Sequence, residues 1–275
     1  MAAGDIDILS GGLHPARQAV KFIGTVDEAC LIDVFATARV AANDEAGTFT
    51  AWVNIPDIIG DYGIVSCGDT AAIEFITMRI TAGKLVGECN DGTVDQWEHT
   101  STNVVITPHK WHHIALVQDA TLTAPKLYVD GKAVAQTATL ATDNGTWFKD
   151  CDLIDNGSIG AAEEAGAAAQ IRECKGAISD VKYWPVALTA DEVRKDYEGV
   201  PPAKINSAIT DWWKMYDLTN AVTAGNPIVK GASIKYVSNY NEFCSRFAFE
   251  GALVADDVIM VGNNDIAWAF IINAA

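Results

Sequence analysis

The chain has 275 residues, 49% hydrophobic and 20% charged. That is enough apolar material for one sizeable core plus an extension, and the wrong balance for an intrinsically disordered chain. With 19 Lys and Arg against 36 Asp and Glu the formal net charge is −17, so phosphate and anionic lipid meet a repelling surface, and neither nucleic acid nor a membrane is an expected partner.

Residues 1–18 are Gly-rich and irregular and read as an N-terminal arm. Their opening, MAAGDIDILSGG, has no basic n-region, and Asp5 and Asp7 interrupt its one apolar run, so it reads as a cytoplasmic start and not as a signal peptide. No segment of the chain is apolar for long enough to span a bilayer. From Ala19 to about Asp180, short runs of β-branched and aromatic residues are cut by Gly, Asp and Asn, the spacing of an antiparallel sandwich or barrel. Thr48 to Val53 reads as a strand, and Ile73 to Ile80 as another, followed by a turn at Ala82-Gly83 and a further strand over Lys84 to Glu88. Asn90-Asp91-Gly92 is a turn, and Asp130-Gly131 between two strand-like runs suits the positive φ angles of a type I′ hairpin. The Ala-rich stretch 161–169 is of low complexity and reads as a loop. Thr189-Ala190-Asp191-Glu192 is a capping box that starts a short helix, ended by Gly199, Pro201 and Pro202.

The Pro-Pro step is the expected domain boundary. It separates a sandwich over 19–199 from a C-terminal β-rich docking segment over 203–275. That segment carries Trp212-Trp213, two strand candidates around Gly262-Asn263-Asn264, and the apolar ending AWAFIINAA, which must pair with a sheet of its own or of a neighbour. Trp212, Trp213, Trp268 and Phe270 are its candidate interface anchors.

Six cysteines are scattered, with no CxxC pair to build a zinc site, and spacing cannot pair them. Cys30, in ACLIDVF, reads as a small core residue. Cys89, Cys151 and Cys174 lie beside polar or turn-like stretches and are expected to be exposed; Arg172 and Lys175 favour a Cys174 thiolate. Together with Cys244 they are the candidates for disulfides between chains.

The order AVKFIGT, FTAWVNI, GKLVGECNDG, WHHIALV, KLYVDGKAV and GAISDVKYWPVALTADEV resembles the laminin-G/concanavalin-A-like superfamily over about residues 19–199. The most specific pieces are the Trp111 to Leu116 strand, the Leu127 to Lys132 hairpin and the Ala187 to Glu192 ending. The resemblance implies an all-β fold, a two-sheet antiparallel jelly-roll sandwich, here with one short helix and a C-terminal β extension. The alternation of Phe49, Ala51, Val53 and Ile55 with Thr50, Trp52 and Asn54 agrees with it. Such a fold hosts lectins, adhesion modules, hydrolases and structural units alike.

Sandwich glycosidases of this superfamily use a Glu-x-Asp-x-x-Glu strand; the one echo is Asp5-Ile6-Asp7 with Ser10 in place of the second acid, so no enzyme is expected. His112 and His113 point to opposite faces of a strand and cannot chelate one ion together. Many laminin-G-like domains bind calcium in a rim loop, and Asp150, Asp152, Asp155 and Asn156 form a carboxylate-rich loop; calcium is the one cofactor to weigh, against the preferred reading of a solvated acidic loop. A sugar platform needs an aromatic with polar neighbours, and Trp97 and Trp147 are the candidates. The expected function is a non-catalytic structural and binding protein of a bacteriophage virion surface (capsid decoration, collar or tail attachment), with other virion proteins, copies of itself and a host-surface glycan as partners. A glycan-binding adhesin or lectin located outside cells is the alternative.

Overall fold

The computed structural model describes residues 19–25, 28–69, 71–121, 124–164, 170–215 and 219–225 in full, and the backbone alone of Gln18 and of the strands at 229–230, 235–238, 258–262 and 267–271. In chain order the elements are β1 (Gln18–Ile23), β2 (Cys30–Leu31), α1 (Asp33–Ala42), β3 (Gly47–Asn54), β4 (Asp61–Gly68), β5 (Glu74–Thr81), β6 (Lys84–Asp91), β7 (Asp95–Ser101), β8 (His112–Gln118), β9 (Lys126–Val129), β10 (Lys132–Ala133), β11 (Gln136–Ala141), a 3-10 turn at Phe148–Asp150, β12 (Asn156–Ile159), β13 (Lys175–Trp184), α2 (Ala190–Tyr197), β14 (Asp211–Trp213), β15 (Val229–Lys230), β16 (Lys235–Ser238), β17 (Val258–Gly262) and β18 (Ala267–Ile271).

Two antiparallel sheets make the sandwich. The first runs β10-β9-β8-β3-β13-β1-β16, with β14 also joined to β13; the second runs β11-β7-β6-β5-β4-β12-β2-β15. Side-chain alternation sends Phe49, Ala51, Val53, Ile114, Leu116, Ile178 and Tyr183 from the first sheet onto Ile64, Ile76, Met78, Ile80, Leu85 and Trp97 from the second, all in one buried core. Tight turns set the register: Ala82 and Gly83 take φ of 50° and 74°, Asp130 and Gly131 take 50° and 73°, as type I′ turns require.

The short helix α2 starts on the expected box, with Glu192 N–H donating to Thr189 Oγ1 at 3.3 Å and Thr189 N–H to Glu192 Oε2 at 2.9 Å. The structure adds a second α-helix, α1, that the sequence reading did not anticipate. It places Phe35 edge-on to Phe49, Phe148, Tyr183 and Trp213, filling the core at one end. Asn43 closes it in the left-handed region at φ 58°.

The Pro201-Pro202 step does not bound the sandwich. β14 pairs with β13 through Val181↔Trp213 and Tyr183↔Asp211, and Trp213 and Met215 are fully buried in the main core. β16 pairs with β1 and β15 with β2, so both sheets recruit backbone from beyond residue 203. β17 and β18 form a hairpin that, among the described residues, pairs with neither sheet. The arm at residues 1–17 and Cys244 lie outside the described residues.

Candidate functional site

The first sheet is packed on both sides. Its outer face carries Ala115, Val117, Tyr128 and Trp184, buried against Leu188, Val193 and Ile205 from the α2 region, and Trp52 stacks on Tyr197 at 5.6 Å. Between sheet and helix lies a buried polar cluster. Lys182 Nζ donates to Asp180 Oδ2 at 2.5 Å and to Asp196 Oδ1 at 2.8 Å, while Asp196 Oδ2 accepts from Thr50 Oγ1 at 2.8 Å and sits 3.0 Å from His113 Nε2. Burial alone raises the Asp196 carboxyl, but the Lys182 charge and the His113 hydrogen bond outweigh it and hold it well below the usual carboxylate range. This cluster ties α2 down and presents nothing to solvent.

The outer face of the second sheet is different in kind. The residues that alternate away from the core on β4 to β7 include the polar Asp61, Ser66, Thr77, Arg79, Thr81, Glu88 and Glu98 together with the buried apolar Phe75 and Val86. Arg79 is their centre: its guanidinium reaches Glu88 Oε2 at 3.0 and 3.2 Å, Asp61 Oδ1 at 3.3 Å and Glu98 Oε2 at 3.5 Å, and it also donates to Thr81. Ser66 and Thr77 hydroxyls share a bond of 2.8 Å. A segment following β12 crosses the β4 side of this face. Gly63 N–H donates to Arg172 O at 2.7 Å and Glu163 N–H to Ser66 Oγ at 2.9 Å. Gly63 and Gly68 permit that approach, because a Cβ on either would collide with the backbone of Ala161 or Glu163. Arg172 then bridges Asp61, at 2.8 Å, and Glu164. Burial raises the Glu88 carboxyl above its ordinary value against the pull of Arg79, and burial raises Glu163 likewise. Ser66, Thr77 and Arg79 are buried, while Asp61, Glu98 and Arg172 keep about a quarter to a third of their side chains exposed and can exchange hydrogen bonds with a hydroxyl-rich ligand.

Several sequence expectations are corrected here. Trp97 and Trp147 are fully buried and stack on each other at 6.2 Å, with Trp97 Nε1 donating to Thr146 O at 3.0 Å; neither offers a sugar platform, because Trp97 alternates inward on β7 and Trp147, just before the 3-10 turn, packs into the same core. Trp213 is core and no interface anchor. Trp212 is half-buried, with the Lys182 and Lys214 ammonium groups 5.4 and 4.6 Å from its ring and its Nε1 donating to Asp180 at 2.5 Å. Trp268 and Phe270 contribute backbone to β18, opposite Val261 and Ile259. Cys89, Cys151 and Cys174 are buried, not exposed, and Cys89 Sγ lies 3.9 Å from Cys151 Sγ within one chain. Burial pushes the Cys174 thiol up, the opposite of an activated thiolate. Cys30 is buried, as expected.

Asp150, Asp152, Asp155 and Asn156 do not converge. Asp150 accepts from Trp147 N–H at 3.2 Å, Asn156 donates to Asp155, Asp152 is exposed, and among the described residues no group of three His, Cys, Asp or Glu has the geometry to hold a metal. His112 and His113 do point apart, to Asp130 at 2.8 Å and to Asp196 at 3.0 Å. The polar face itself was missed at the sequence level, since its members are spread from residue 61 to 172 and meet only through strand register.

A two-sheet antiparallel sandwich with one face packed by a helix and the other lined by polar side chains is a lectin-type fold. The chain belongs to the concanavalin A-like lectin/glucanases superfamily, whose family model Laminin_G_3 matches residues 33–194. Among solved structures it is similar to the CBM40 of the Ruminococcus gnavus IT-sialidase bound to alpha2,3 sialyllactose (17% identity, TM-score 0.54, covering 66% of this chain and 97% of that one). It is also similar to the native heptameric SAP-like pentraxin from Limulus polyphemus (12%, 0.51, 81% and 95%) and to the leech intramolecular trans-sialidase (19%, 0.54, 67% of this chain but 28% of that one). A search of curated protein sequences finds no match. Among the described residues no helix is long and apolar enough to cross a membrane.

Proposed function

We propose that the protein is a non-catalytic binding protein whose sandwich takes a glycan on the outer face of the second sheet. The observation that carries this reading is the polar network itself: Asp61, Arg79, Thr81, Glu88, Glu98, Arg172 and Glu164 are connected on the outer face of the second sheet, where no α-helix packs among the described residues. The likeness of fold to a domain bound to a sialylated sugar supports it. Hydrolysis needs two carboxyl groups flanking a bond, one of them a proton donor. Here Glu88 and Glu98 both accept from the single Arg79 guanidinium, an arrangement that spans the strands instead of a scissile bond. Asp5 and Asp7 lie outside the described residues. A glycan array probed with the intact protein is expected to retain at least one glycan, with no reducing ends released from it. An array on which nothing is retained overturns the reading.

The finer proposal is that this module sits on a bacteriophage virion, among other virion proteins and copies of itself. The β17–β18 hairpin favours it. The sequences VIMVG and AWAFI are apolar throughout, the hairpin pairs with no other strand among the described residues, and a two-stranded hairpin alone is marginal in water, so it calls for a neighbouring surface. Cross-linking mass spectrometry of purified particles is expected to return peptides of this chain joined to another virion protein through residues 226–275; particles that lack the chain contradict it.

A further inference from the structure

We propose that Cys89 and Cys151 form a redox latch: two thiols that close to an intrachain disulfide in the presence of a small-molecule disulfide and clamp one edge of the sandwich. Glycan binding plays no part in it. Cys89 faces the core from β6, and Cys151 follows the 3-10 turn at Phe148–Asp150; both are fully buried in the main core. Their sulfurs lie 3.9 Å apart. Cys151 Sγ–H donates to Asn90 O at 3.5 Å, which leaves a sulfur lone pair to accept from Cys89. A disulfide needs about 2.0 Å, so each sulfur has roughly 1 Å to travel.

The bond closes a loop across 62 positions of sequence. That loop carries β8, β9 and β10 at one end of the first sheet and β7 and β11 at one end of the second. The two ends belong together, because Gln136 on β11 accepts from Leu127 N–H on β9 at 3.0 Å and lies 3.3 Å from His99 Nδ1 on β7. Closure is thiol–disulfide exchange. One cysteine thiolate attacks a sulfur of glutathione disulfide, forms a mixed disulfide and expels a glutathione thiolate. The second cysteine thiolate attacks the protein sulfur of that mixed disulfide and expels the other. The protein dithiol is oxidised, glutathione disulfide is reduced, and the two thiol protons end on the two glutathiones. Burial pushes the Cys89 thiol well above its ordinary value, so the packed chain presents a poor nucleophile. Exchange therefore runs as the chain folds or when the Cys151 segment opens, and the same burial shields the finished bond from reductant.

The test starts from reduced protein, unfolded and then refolded in a buffer of glutathione and glutathione disulfide, alkylated, and mapped by mass spectrometry of unreduced peptides. One linked pair of peptides is expected, carrying Cys89 and Cys151, with a Tm about 5–15 °C above that of the fully reduced chain, as for a bond that closes a long loop. Cys89→Ala and Cys151→Ala, made separately, should each lose both the linked pair and the rise in Tm. Native reduced protein kept in the same buffer without unfolding gives a reading independent of refolding: the linked pair should accumulate slowly, and faster on warming towards Tm. Cys89 and Cys151 both alkylated after both treatments, or either joined to another cysteine of the chain, overturns the inference. A Cys89–Cys151 bond that leaves Tm unchanged overturns the clamp.

Discussion

Replacing Lys182 by Met removes the one cation between two buried carboxylates and tests whether the cluster under α2 holds the first sheet and helix together. Lys182 is 4% exposed, Asp196 1% and Asp180 6%, so no solvent replaces the lost charge. Breaking a buried pair by deleting one partner costs about 3–5 kcal/mol, and for a domain of this size each kcal/mol moves Tm by roughly 2–4 °C, giving an expected fall of about 10 °C at pH 7. The pH dependence carries a sign. The Asp196 carboxyl is depressed in the fold, so its stabilisation is present above the ordinary carboxylate range and is lost as the pH falls below it. Burial lowers the Lys182 ammonium, but Asp180 and Asp196 outweigh burial and raise it, so its contribution is full below its ordinary value and lost only in strong alkali. In Lys182→Met burial wins, Asp196 is pushed up, and protonating it relieves the fold. The gap in Tm between wild type and variant should therefore narrow steadily from pH 7 to pH 3, measured by differential scanning calorimetry. A gap under about 2 °C, or one that does not change with pH, would refute the reasoning.

Trp213→Ala should cost about 3–5 kcal/mol, as for other fully buried aromatics, and a chain ending at residue 202 should fail to melt cooperatively while one ending at 225 still does; near-equal melting curves for the two truncations would restore the Pro-Pro boundary. Gly68→Ala forces the Glu163 backbone off β4, so glycan affinity should fall more than stability does, as read by calorimetry beside a thermal melt. Cys30, Cys67, Cys89, Cys151 and Cys174 should resist a thiol reagent in the native state and react together once denatured, followed by intact mass; rapid native labelling of any of the five contradicts their burial.

What the sequence made legible was local. The Asp130-Gly131 hairpin, the Ala82-Gly83 turn and the Thr189 box each encode their geometry within four residues, and all three appear where expected. Phase was harder. In VDQWEH the polar neighbours of Trp97 are real, but they point the other way from the ring, and the same holds for Cys89 between Glu88 and Asn90. Trp212-Trp213 reads as one sticky pair, yet adjacent strand positions face opposite sides, and only Trp213 enters the core. Helix α1 was hidden because Ile32 provides no side-chain cap and the preceding Cys-Leu-Ile run reads as strand. The polar face was beyond local reading, since Asp61, Arg79, Glu88, Glu98 and Arg172 become neighbours only after three strand registers and a returning segment are fixed.

The central claim is that a glycan binds on the outer face of the second sheet, and NMR of the isotopically labelled protein titrated with a glycan retained on the array tests it most directly. The Arg79 and Arg172 Nε–H signals and the amides of residues 61–68, 74–81, 84–91 and 95–101 are expected to shift in a saturable way, while those of residues 189–197 on the opposite side stay fixed. Saturable shifts centred on α2 or the first sheet, with Arg79 unmoved, would contradict the account.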